Sequence, residues 1–388
     1  MNDAPTQRTL LLLSFAAFFG AAALRVCDPL LPRFASEFSV SAGTAGQVVI
    51  GFAIAYGVLQ LVFGPLGDRY GKLRLIRLAL FGCGIGSGAA ALSGHFDALV
   101  VLRAAWGMCA AGVIPLSMAW IGDTVPYEQR QATLARFLTG TLSGMVAGTL
   151  LGGLFADSAL GWRGAFGVLA AGYLAVAFAL GAAVRAEPPA DAARAMHPLA
   201  SLAEVLRTPW ARVVLLAVAA EGVFMLSALA FIPSYLHARF GLSLALAAAL
   251  AACYALGGLA YTAVARRLVA RWGEQGMVWR GGWLVGAGFL GLWLAPHWAL
   301  SVPAILLIGF GAYLFHATLQ THATQMAPRA RGSAVALFAC CLFGGQAAGT
   351  SGAAALVDHA GFVPLLLCAA LGLAAAGSAF ASALARRS

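Results

Sequence analysis

The chain has 388 residues, of which 61% are hydrophobic and 10% are charged, whereas soluble domains carry about 25% charged residues. So few polar side chains cannot cover a globule in water, which excludes an ordinary water-soluble fold. The formal net charge of +10 would suit a nucleic-acid-binding protein, but a membrane protein also collects basic residues in its loops.

Long apolar runs follow one another along the whole chain. Each is about 20 residues long, enough for a helix to cross a hydrocarbon layer of about 30 Å. The first run lacks the small-residue cleavage site of a signal peptide, so we expect it to be a span. The ninth run is the shortest and is rich in glycine. The twelve runs are 10–31, 44–66, 75–93, 98–122, 132–156, 165–184, 210–236, 244–265, 281–295, 300–320, 333–357 and 363–384.

The positions of the basic residues predict the topology. Most of the 24 lysines and arginines lie in the loops on the same side as the two chain ends. The positive-inside rule therefore predicts twelve transmembrane helices with both termini cytoplasmic. Because topology explains the basic charge, we expect a lipid bilayer and no nucleic acid as partner. We expect a monomeric, multi-pass protein of the cell inner membrane of a bacterium.

The two halves of the chain can be aligned with each other. The matching Arg and Asp residues count most, because Gly and Ala are common throughout. The repeat predicts an all-α membrane protein of two six-helix bundles, residues 1–184 and 209–388. The polar segment 185–208 between them is predicted to be a cytoplasmic linker ending in a short interfacial helix. The matched residues are Arg130, Phe137, Gly144, Ala147, Gly148, Thr149 and Asp157 with Arg331, Phe338, Gly345, Ala348, Gly349, Thr350 and Asp358.

The loop after the second run, residues 64–72, combines glycines with charges. Glycines allow a tight turn, and the charges can pair across loops or meet the positive end of a helix. Its sequence, Gly-Pro-Leu-Gly-Asp-Arg-Tyr-Gly-Lys, resembles the signature Gly-x-Leu-x-Asp-Arg-x-Gly-Arg-Lys of the major facilitator superfamily. The resemblance implies charges that close the cytoplasmic side; the alternative is that they only determine topology. The residues concerned are Gly67, Asp68, Arg69, Gly71, Lys72, Asp123, Arg130 and Arg331.

Two further elements resemble the twelve-span drug:proton antiporter branch of that family. The first run ends with Pro29 and Pro32, which match its Pro-x-x-Pro element. In the fourth run, Arg103 matches the intramembrane arginine of the branch, although Trp106 stands in place of the usual Gln. This resemblance implies proton-driven export of a small organic compound.

The fifth run carries regularly spaced glycines that fit the glycine motif of the antiporters. Thr149 stands where that motif has a proline, so uptake by symport remains a second interpretation. Glycines at this spacing also allow helices to pack closely without any role in transport. The glycines are Gly144, Gly148, Gly152 and Gly153.

Few ionisable side chains lie inside the apolar runs. A charge near mid-membrane costs about 2.5–3.5 kcal/mol on insertion scales, so each one requires an explanation. Arg25 and Asp28 lie in the first run, Arg103 in the fourth, Glu221 in the seventh and His316 in the tenth. These runs occupy equivalent places in the two halves, and we predict that they line a central cavity.

A rise of about 1.5 Å per residue gives the depth of each group. It places Glu221 near mid-membrane and His316 nearer the inner side, with Arg25, Asp28 and Arg103 together in the outer third. A carboxylate in a cavity of low dielectric takes up a proton more readily than in water, and a nearby arginine opposes this. We therefore predict Glu221 and Asp28 as proton-coupling groups and Arg103 as the partner of Asp28.

Other polar groups are candidates for the substrate cavity. Arg25 and Arg103 would alternatively bind an anionic substrate, while His316 has the alternative of a structural histidine in the core. The remaining candidates are Tyr56, Gln60, Gln320 and Gln346.

These observations predict a secondary active transporter that moves a small-molecule substrate by alternating access, driven by a proton gradient without a cofactor. Proton-coupled export is the first interpretation, and proton-coupled uptake of a metabolite is the second. The seven cysteines show no ligand spacing, so we expect no metal site. The sequence has no phosphate-binding loop and no cluster of catalytic residues near an interface, so we do not expect an enzyme.

Overall fold

The fold is built from helices. The computed structural model describes residues 4–181, 183 and 198–387. The first half contains α1 (Ala4–Arg25), α2 (Leu31–Phe38), α3 (Ala42–Ala45), α4 (Gln47–Tyr70), α5 (Lys72–Ala91), α6 (Phe96–Ala110), α7 (Val113–Thr124), α8 (Tyr127–Ala156) and α9 (Gly161–Ala179). The second half contains α10 (Pro198–Arg207), α11 (Pro209–Glu221), α12 (Ser227–Phe240), α13 (Leu244–Leu294), α14 (Ser301–Gln325), α15 (Arg331–Ala360) and α16 (Phe362–Ala385).

Eleven helical stretches of the described residues are long and apolar enough to cross a membrane. The longest is α13, with 51 residues, whose length of about 76 Å at about 1.5 Å per residue is more than twice a hydrocarbon layer of about 30 Å. Gly273, with φ 59° and ψ 177°, interrupts its helical backbone. The predicted eighth and ninth spans both lie within this stretch, on either side of Gly273.

Glycine forms the same kind of break in the first half. Gly71, between α4 and α5, has φ 92°, a backbone conformation that residues with a Cβ rarely adopt. Gly71 and Gly273 also align in the repeat of the two halves once the alignment is shifted by one residue. A positive φ at one residue turns the chain without a loop, which explains why the glycine stands there in both halves.

Close helix contacts repeat in the two halves. In the first half α8 packs on α1, where a Cβ added at Gly144 or Gly148 would overlap a carbonyl oxygen of α1, and one added at Gly152 would overlap that of Val26 just after α1. In the second half α15 packs in the same way on α11 through Gly345, and on Val223 just after α11 through Gly349. Small residues at this spacing allow two helix backbones to approach closely.

Two spans are broken next to their interior charges. In the first span, α1 ends at Arg25, and a 3₁₀ turn from Asp28 to Leu30 leads into α2. In the seventh, α11 ends at Glu221 and a π-helical turn, Gly222–Leu226, leads into α12. Single π turns occur frequently at functional sites, and no pattern in the sequence predicts this one.

The helix predicted at the end of the linker is present as α10. Its Val205 is fully buried among apolar side chains of the second half, including Val214 and Leu319. Residues 185–197 of the predicted linker lie outside the described residues. The division into bundles 1–184 and 209–388 stays a prediction.

Candidate functional site

A cavity of about 270 Å³ lies at the centre of the molecule, between helices of both halves. Four of the five predicted interior charges lie in it or next to it. Most of its other lining side chains are apolar or aromatic. The lining residues are Leu24, Arg25, Tyr56, Ile114, Thr141, Met145, Glu221, Met225, Leu226, Tyr254, Tyr313, His316, Leu342, Phe343 and Gln346.

Glu221 and His316 form a pair at this cavity. The imidazole Nδ1 of His316 lies 3.0 Å from each carboxylate oxygen of Glu221. The Glu221 side chain is fully buried, whereas 32% of the His316 side chain is exposed. The carboxylate is therefore covered, and the exposed part of this pair belongs to His316, which lines the cavity.

The pairing corrects the depth predicted for His316. The sequence estimate put this residue nearer the inner side than Glu221, because depth was counted from the edges of the apolar runs. In the structure the two side chains are in contact, so they lie at one level. The helix that carries His316 runs from Ser301 to Gln325 and extends beyond the predicted run, which shifts the count.

Asp28 is paired with Arg25 three residues before it. The Arg25 guanidinium Nη1 donates to the Asp28 carboxylate Oδ2 at 3.0 Å, and both side chains are buried. The sequence predicts Arg103 as the partner that sets the affinity of Asp28. The structure instead pairs Asp28 with Arg25, because the backbone between them stays near-helical at Cys27 and residues three apart then lie on the same side of the chain.

Arg103 is enclosed by aromatic rings. Its guanidinium carbon lies 4.1 Å from the ring centre of Phe52 and 4.6 Å from that of Trp106. Nη2 donates to the carbonyl oxygen of Ala23 at 3.2 Å, and the residue is 1% exposed. Cation–π contacts of this kind stabilise a desolvated guanidinium. Trp106, which replaces the Gln of the family motif, therefore forms part of the surroundings of Arg103.

The other cavity candidates divide into two groups. Tyr56 and Gln346 line the central cavity, whereas Gln60 lines a separate cavity nearer the chain termini. Gln320 is exposed on α14, so the structure does not bring it to either cavity. Its prediction rested on polarity inside an apolar run, which does not tell which face of a helix a residue occupies.

The sequence analysis missed several lining residues. Tyr254 and Tyr313 are the largest, and their ring centres lie 6.1 Å apart. Thr141 and Met145 on α8 complete that part of the wall. Tyrosine, threonine and methionine are common in transmembrane helices, so composition alone carried no signal for them.

The predicted gate charges lie on the side of the chain termini. Lys72 Nζ lies 2.9 Å from Asp68 Oδ1 and 2.7 Å from Asp123 Oδ2. Asp68 and Arg331 line a cavity of about 320 Å³ that separates the start of α15 from the end of α4. The structure therefore joins the acidic gate residues to Lys72, with open space between Asp68 and Arg331.

The remaining gate candidates have local contacts. Arg130 Nη2 donates to the Val125 carbonyl oxygen at 3.3 Å, and the Arg69 guanidinium lies 5.3 Å from the ring centre of Tyr70. A Cβ added at Gly67 would overlap the side chain of Leu116. These contacts give the turn region its shape.

The two halves are in contact on the side opposite the termini. The Asp358 carboxylate accepts from Ser41 Oγ at 2.5 Å and from the Gly43 amide at 2.7 Å. The Asp157 carboxylate accepts from the amides of Leu244 at 3.4 Å and Ala245 at 2.7 Å. Each aspartate thus caps the beginning of a helix in the other half. We call these two contacts the cross-half caps.

Gly153 belongs to this side and not to the α1 contact. A Cβ added at Gly153 would overlap the side chain of Ala248 on α13, close to the cap formed by Asp157. Gly43 is packed as tightly against α15. The backbones of the two halves therefore touch on this side, while a cavity separates α4 from α15 on the terminal side.

Comparison with known proteins places the chain among transporters. A model of the Major Facilitator Superfamily matches residues 13–350. The uncharacterized MFS-type transporter YceJ of Bacillus subtilis (strain 168) is 25% identical over 324 residues, 84% of this chain and 83% of YceJ. The multidrug resistance protein MdtG of Escherichia coli O1:K1 / APEC is 32% identical over 165 residues, 40% of each chain.

The fold also resembles solved structures. A bacterial homologue of the human lysosomal transporter Spinster, in an inward-facing and unoccupied conformation, superposes with a TM-score of 0.76. The similarity covers 99% of this chain and 96% of that one at 18% identity, so it concerns the fold.

Proposed function

The chain belongs to the major facilitator superfamily of membrane transporters, and from this premise we propose that it is a secondary active transporter that exports a small organic compound in exchange for protons. The observation that carries the proposal is the Glu221–His316 pair at the central cavity. A carboxylate without solvent exposure must be paired or protonated, because a lone buried charge costs several kcal/mol.

The geometry of the pair gives the proton a defined position. With Nδ1–H donating to the Glu221 carboxylate, the free position for a further proton is His316 Nε2. Proton uptake there turns Nε2 from an acceptor into a donor and makes the pair neutral. The substrate and the proton then act on the same ring, which couples their binding.

Asp28 has a supporting role in this proposal. Its ion pair with Arg25 lies beside the same cavity, and one Asp28 oxygen, Oδ1, is buried without a hydrogen-bond partner among the described residues. We propose that Asp28 takes up a proton when Arg25 turns toward a substrate. Arg103, held by its aromatic neighbours, acts on Asp28 by its charge from a distance.

We propose twelve membrane spans, with both termini in the cytoplasm of a bacterial cell and the chain in the inner membrane. The break at Gly273 and the length of α13 support two crossings within that stretch. The concentration of basic residues on the terminal side supports its cytoplasmic placement. On this assignment the cross-half caps are on the outer side.

Transport is proposed to occur by rocking of the two predicted bundles about the central cavity. The cross-half caps hold the outer side together, and the cavity beside Asp68 and Arg331 opens the inner side. In the opposite state, the acidic residues of the α4–α5 turn would approach the start of α15. A carboxylate is stabilised at a helix N-terminus, so Asp68 would then hold the inner side closed.

The direction of transport is supported by similarity. MdtG, a multidrug resistance protein, aligns with part of this chain, and the glycine series of α8 matches the antiporter motif. The second candidate is proton-coupled uptake of a metabolite by symport. Thr149, at the position of the motif proline, favours this candidate.

Flux measurements in proteoliposomes test the proposal. The purified chain is reconstituted, a pH gradient is imposed, and a panel of small organic acids, bases and neutral compounds is screened for gradient-driven movement. Export by antiport predicts that the compound and the protons move in opposite directions. Glu221→Gln and His316→Gln remove the proton site, and His297→Gln, an exposed histidine, is the matched control.

We expect both pair variants to lose gradient-driven flux while still exchanging compound at equal pH, and the control to behave as wild type. If substrate and protons moved in the same direction, symport would replace export. Full gradient-driven flux in both pair variants would refute coupling through Glu221 and His316.

A further inference from the structure

We infer that the substrate is an amphipathic organic anion, with one carboxylate or similar group on a body of one or two rings. The inference rests on the proposed transport function and adds the charge class of the compound. It follows from which partner of each ion pair, the acidic or the basic one, is exposed to the cavity.

Both pairs turn their basic partner toward the cavity. The Glu221 side chain has no exposed surface, and its partner His316 is 32% exposed. The Asp28 side chain is 4% exposed, while Arg25, at 8%, lines the central cavity. A molecule in the cavity would therefore meet a guanidinium and an imidazole before it met either carboxylate.

The charge balance favours the same class. Of the described residues that line the cavity, Arg25 and His316 are basic and Glu221 is acidic, while Asp28 and Arg103 lie beside it. When His316 is protonated, this group of five carries three positive charges and two negative ones, and the charge of Arg103 acts from a distance. An anion in the cavity would neutralise the excess positive charge. Hydrogen bonds between oppositely charged groups are stronger than those between neutral groups.

The rest of the wall fits an amphipathic body. Phe343, Leu342, Met145 and Met225 supply apolar and aromatic surface, and Met side chains adapt to different shapes. Hydroxyl groups of Tyr254 and other lining residues add neutral hydrogen-bond donors. The volume of about 270 Å³ suits a small compound.

A cationic substrate would need different chemistry. Cation sites present a carboxylate or an aromatic cage to the ligand, and of the described residues that line this cavity only Glu221 is acidic. Its carboxylate is covered by His316. The aromatic cage that the structure does contain, around Arg103, already holds a cation of the protein itself.

Matched probes of opposite charge test this inference. Tritiated 1-naphthylacetate is bound to the full chain in lipid nanodiscs near neutral pH and displaced by unlabelled 1-naphthylacetate, 1-naphthylmethylammonium or the neutral 1-naphthylmethanol. The three share one ring system, so the comparison isolates charge. Charge-assisted hydrogen bonds predict that the anion binds about tenfold or more tightly than the cation.

Variants identify the groups responsible. Arg25→Gln and His316→Gln should each reduce the preference for the anion, and Arg25→Lys, which keeps the charge beside Asp28, should retain part of it. His297→Gln should leave the preference unchanged. Size-exclusion profiles identify any variant that fails to fold, and Arg25→Lys then takes the place of Arg25→Gln.

Equal or tighter binding of the cation or the neutral compound would overturn the inference, as would the absence of specific 1-naphthylacetate binding. An anion preference that persisted in both Arg25 and His316 variants would also overturn it. The binding assay needs no gradient. Preferential anion binding without proton-driven flux would therefore refute the proposed coupling and leave the charge class standing.

Discussion

The cross-half caps predict a measurable shift of the conformational equilibrium. Asp157 accepts from the first two amides of α13, and Asp358 accepts from the Gly43 amide of α3 and from the Ser41 hydroxyl. These contacts exist only while the two halves touch on the side opposite the termini, the outer side on the proposed topology, so their loss acts directly on the balance between the two proposed states. The perturbation is Asp157→Ala and Asp358→Ala, singly and together.

The magnitude follows from capping energetics. Replacing a capping Asp by Ala costs about 1 kcal/mol, with a range of about 0.5–2 kcal/mol, and both aspartates are exposed, so we take the central value. Two separate sites add, which gives about 2 kcal/mol for the double variant. This corresponds to a change of roughly 30-fold in the ratio of outward-closed to outward-open molecules.

Double electron–electron resonance spectroscopy measures this ratio through the distribution of distances between two spin labels. Leu92 and Leu300 are exposed positions in different halves, at turns on the outer side, and the labels are placed there after replacement of the seven cysteines. We expect the long-distance population to grow in each alanine variant and most in the double variant. Asp157→Asn and Asp358→Asn are the controls, because Asn caps a helix about as well as Asp.

Two results would refute this reasoning. An unchanged distance distribution in the double alanine variant would mean that the caps do not stabilise the closed state. A shift in the asparagine variants as large as in the alanine variants would mean that net charge, and not the capping hydrogen bonds, is responsible.

Two further predictions concern glycines. Gly345→Ala should destabilise the protein by about 1–3 kcal/mol, because its Cβ would overlap the Ala219 carbonyl oxygen, a case of overpacking. The control is the neighbouring Gly344→Ala, which has open space at the Cβ. Thermal unfolding in detergent should separate the two variants, and equal melting temperatures would contradict the packing argument. Gly71→Ala should cost about 1–3 kcal/mol because φ is 92° there, a backbone conformation in which a residue with a Cβ is strained. Gly64→Ala, with open space at its Cβ, should not destabilise the protein, and an unfolding curve for Gly71→Ala that matches wild type would show that the turn does not need glycine.

The interior charges could be predicted from the sequence because a charge in an apolar run is costly and therefore conspicuous. Their partners could not be predicted as well. The Arg25–Asp28 pair follows the i, i+3 spacing that brings side chains together on one helical turn, and that spacing was a better guide than the shared depth that suggested Arg103. Glu221 and His316 are distant in the sequence, and an error of a few residues in the span boundaries was enough to separate them.

The repeat signalled Asp157 and Asp358 as equivalent residues without giving their role. Both stand at the end of a span, where an exposed aspartate is common. Only the arrangement of the two halves brings each to the first amides of a helix in the other half. Sequence periodicity describes one helix at a time, so it does not predict contacts between helices of different halves.

The two halves match in their helix contacts and differ in their buried ionisable groups. The cross-half caps form a matching pair between the halves, and the glycine contacts of α8 with α1 and of α15 with α11 match within the halves. The ionisable groups do not match: the first half has Arg103 among aromatic rings, and the second has Glu221 with His316. The repeat therefore persists where the halves contact each other and has diverged where they face the proposed substrate.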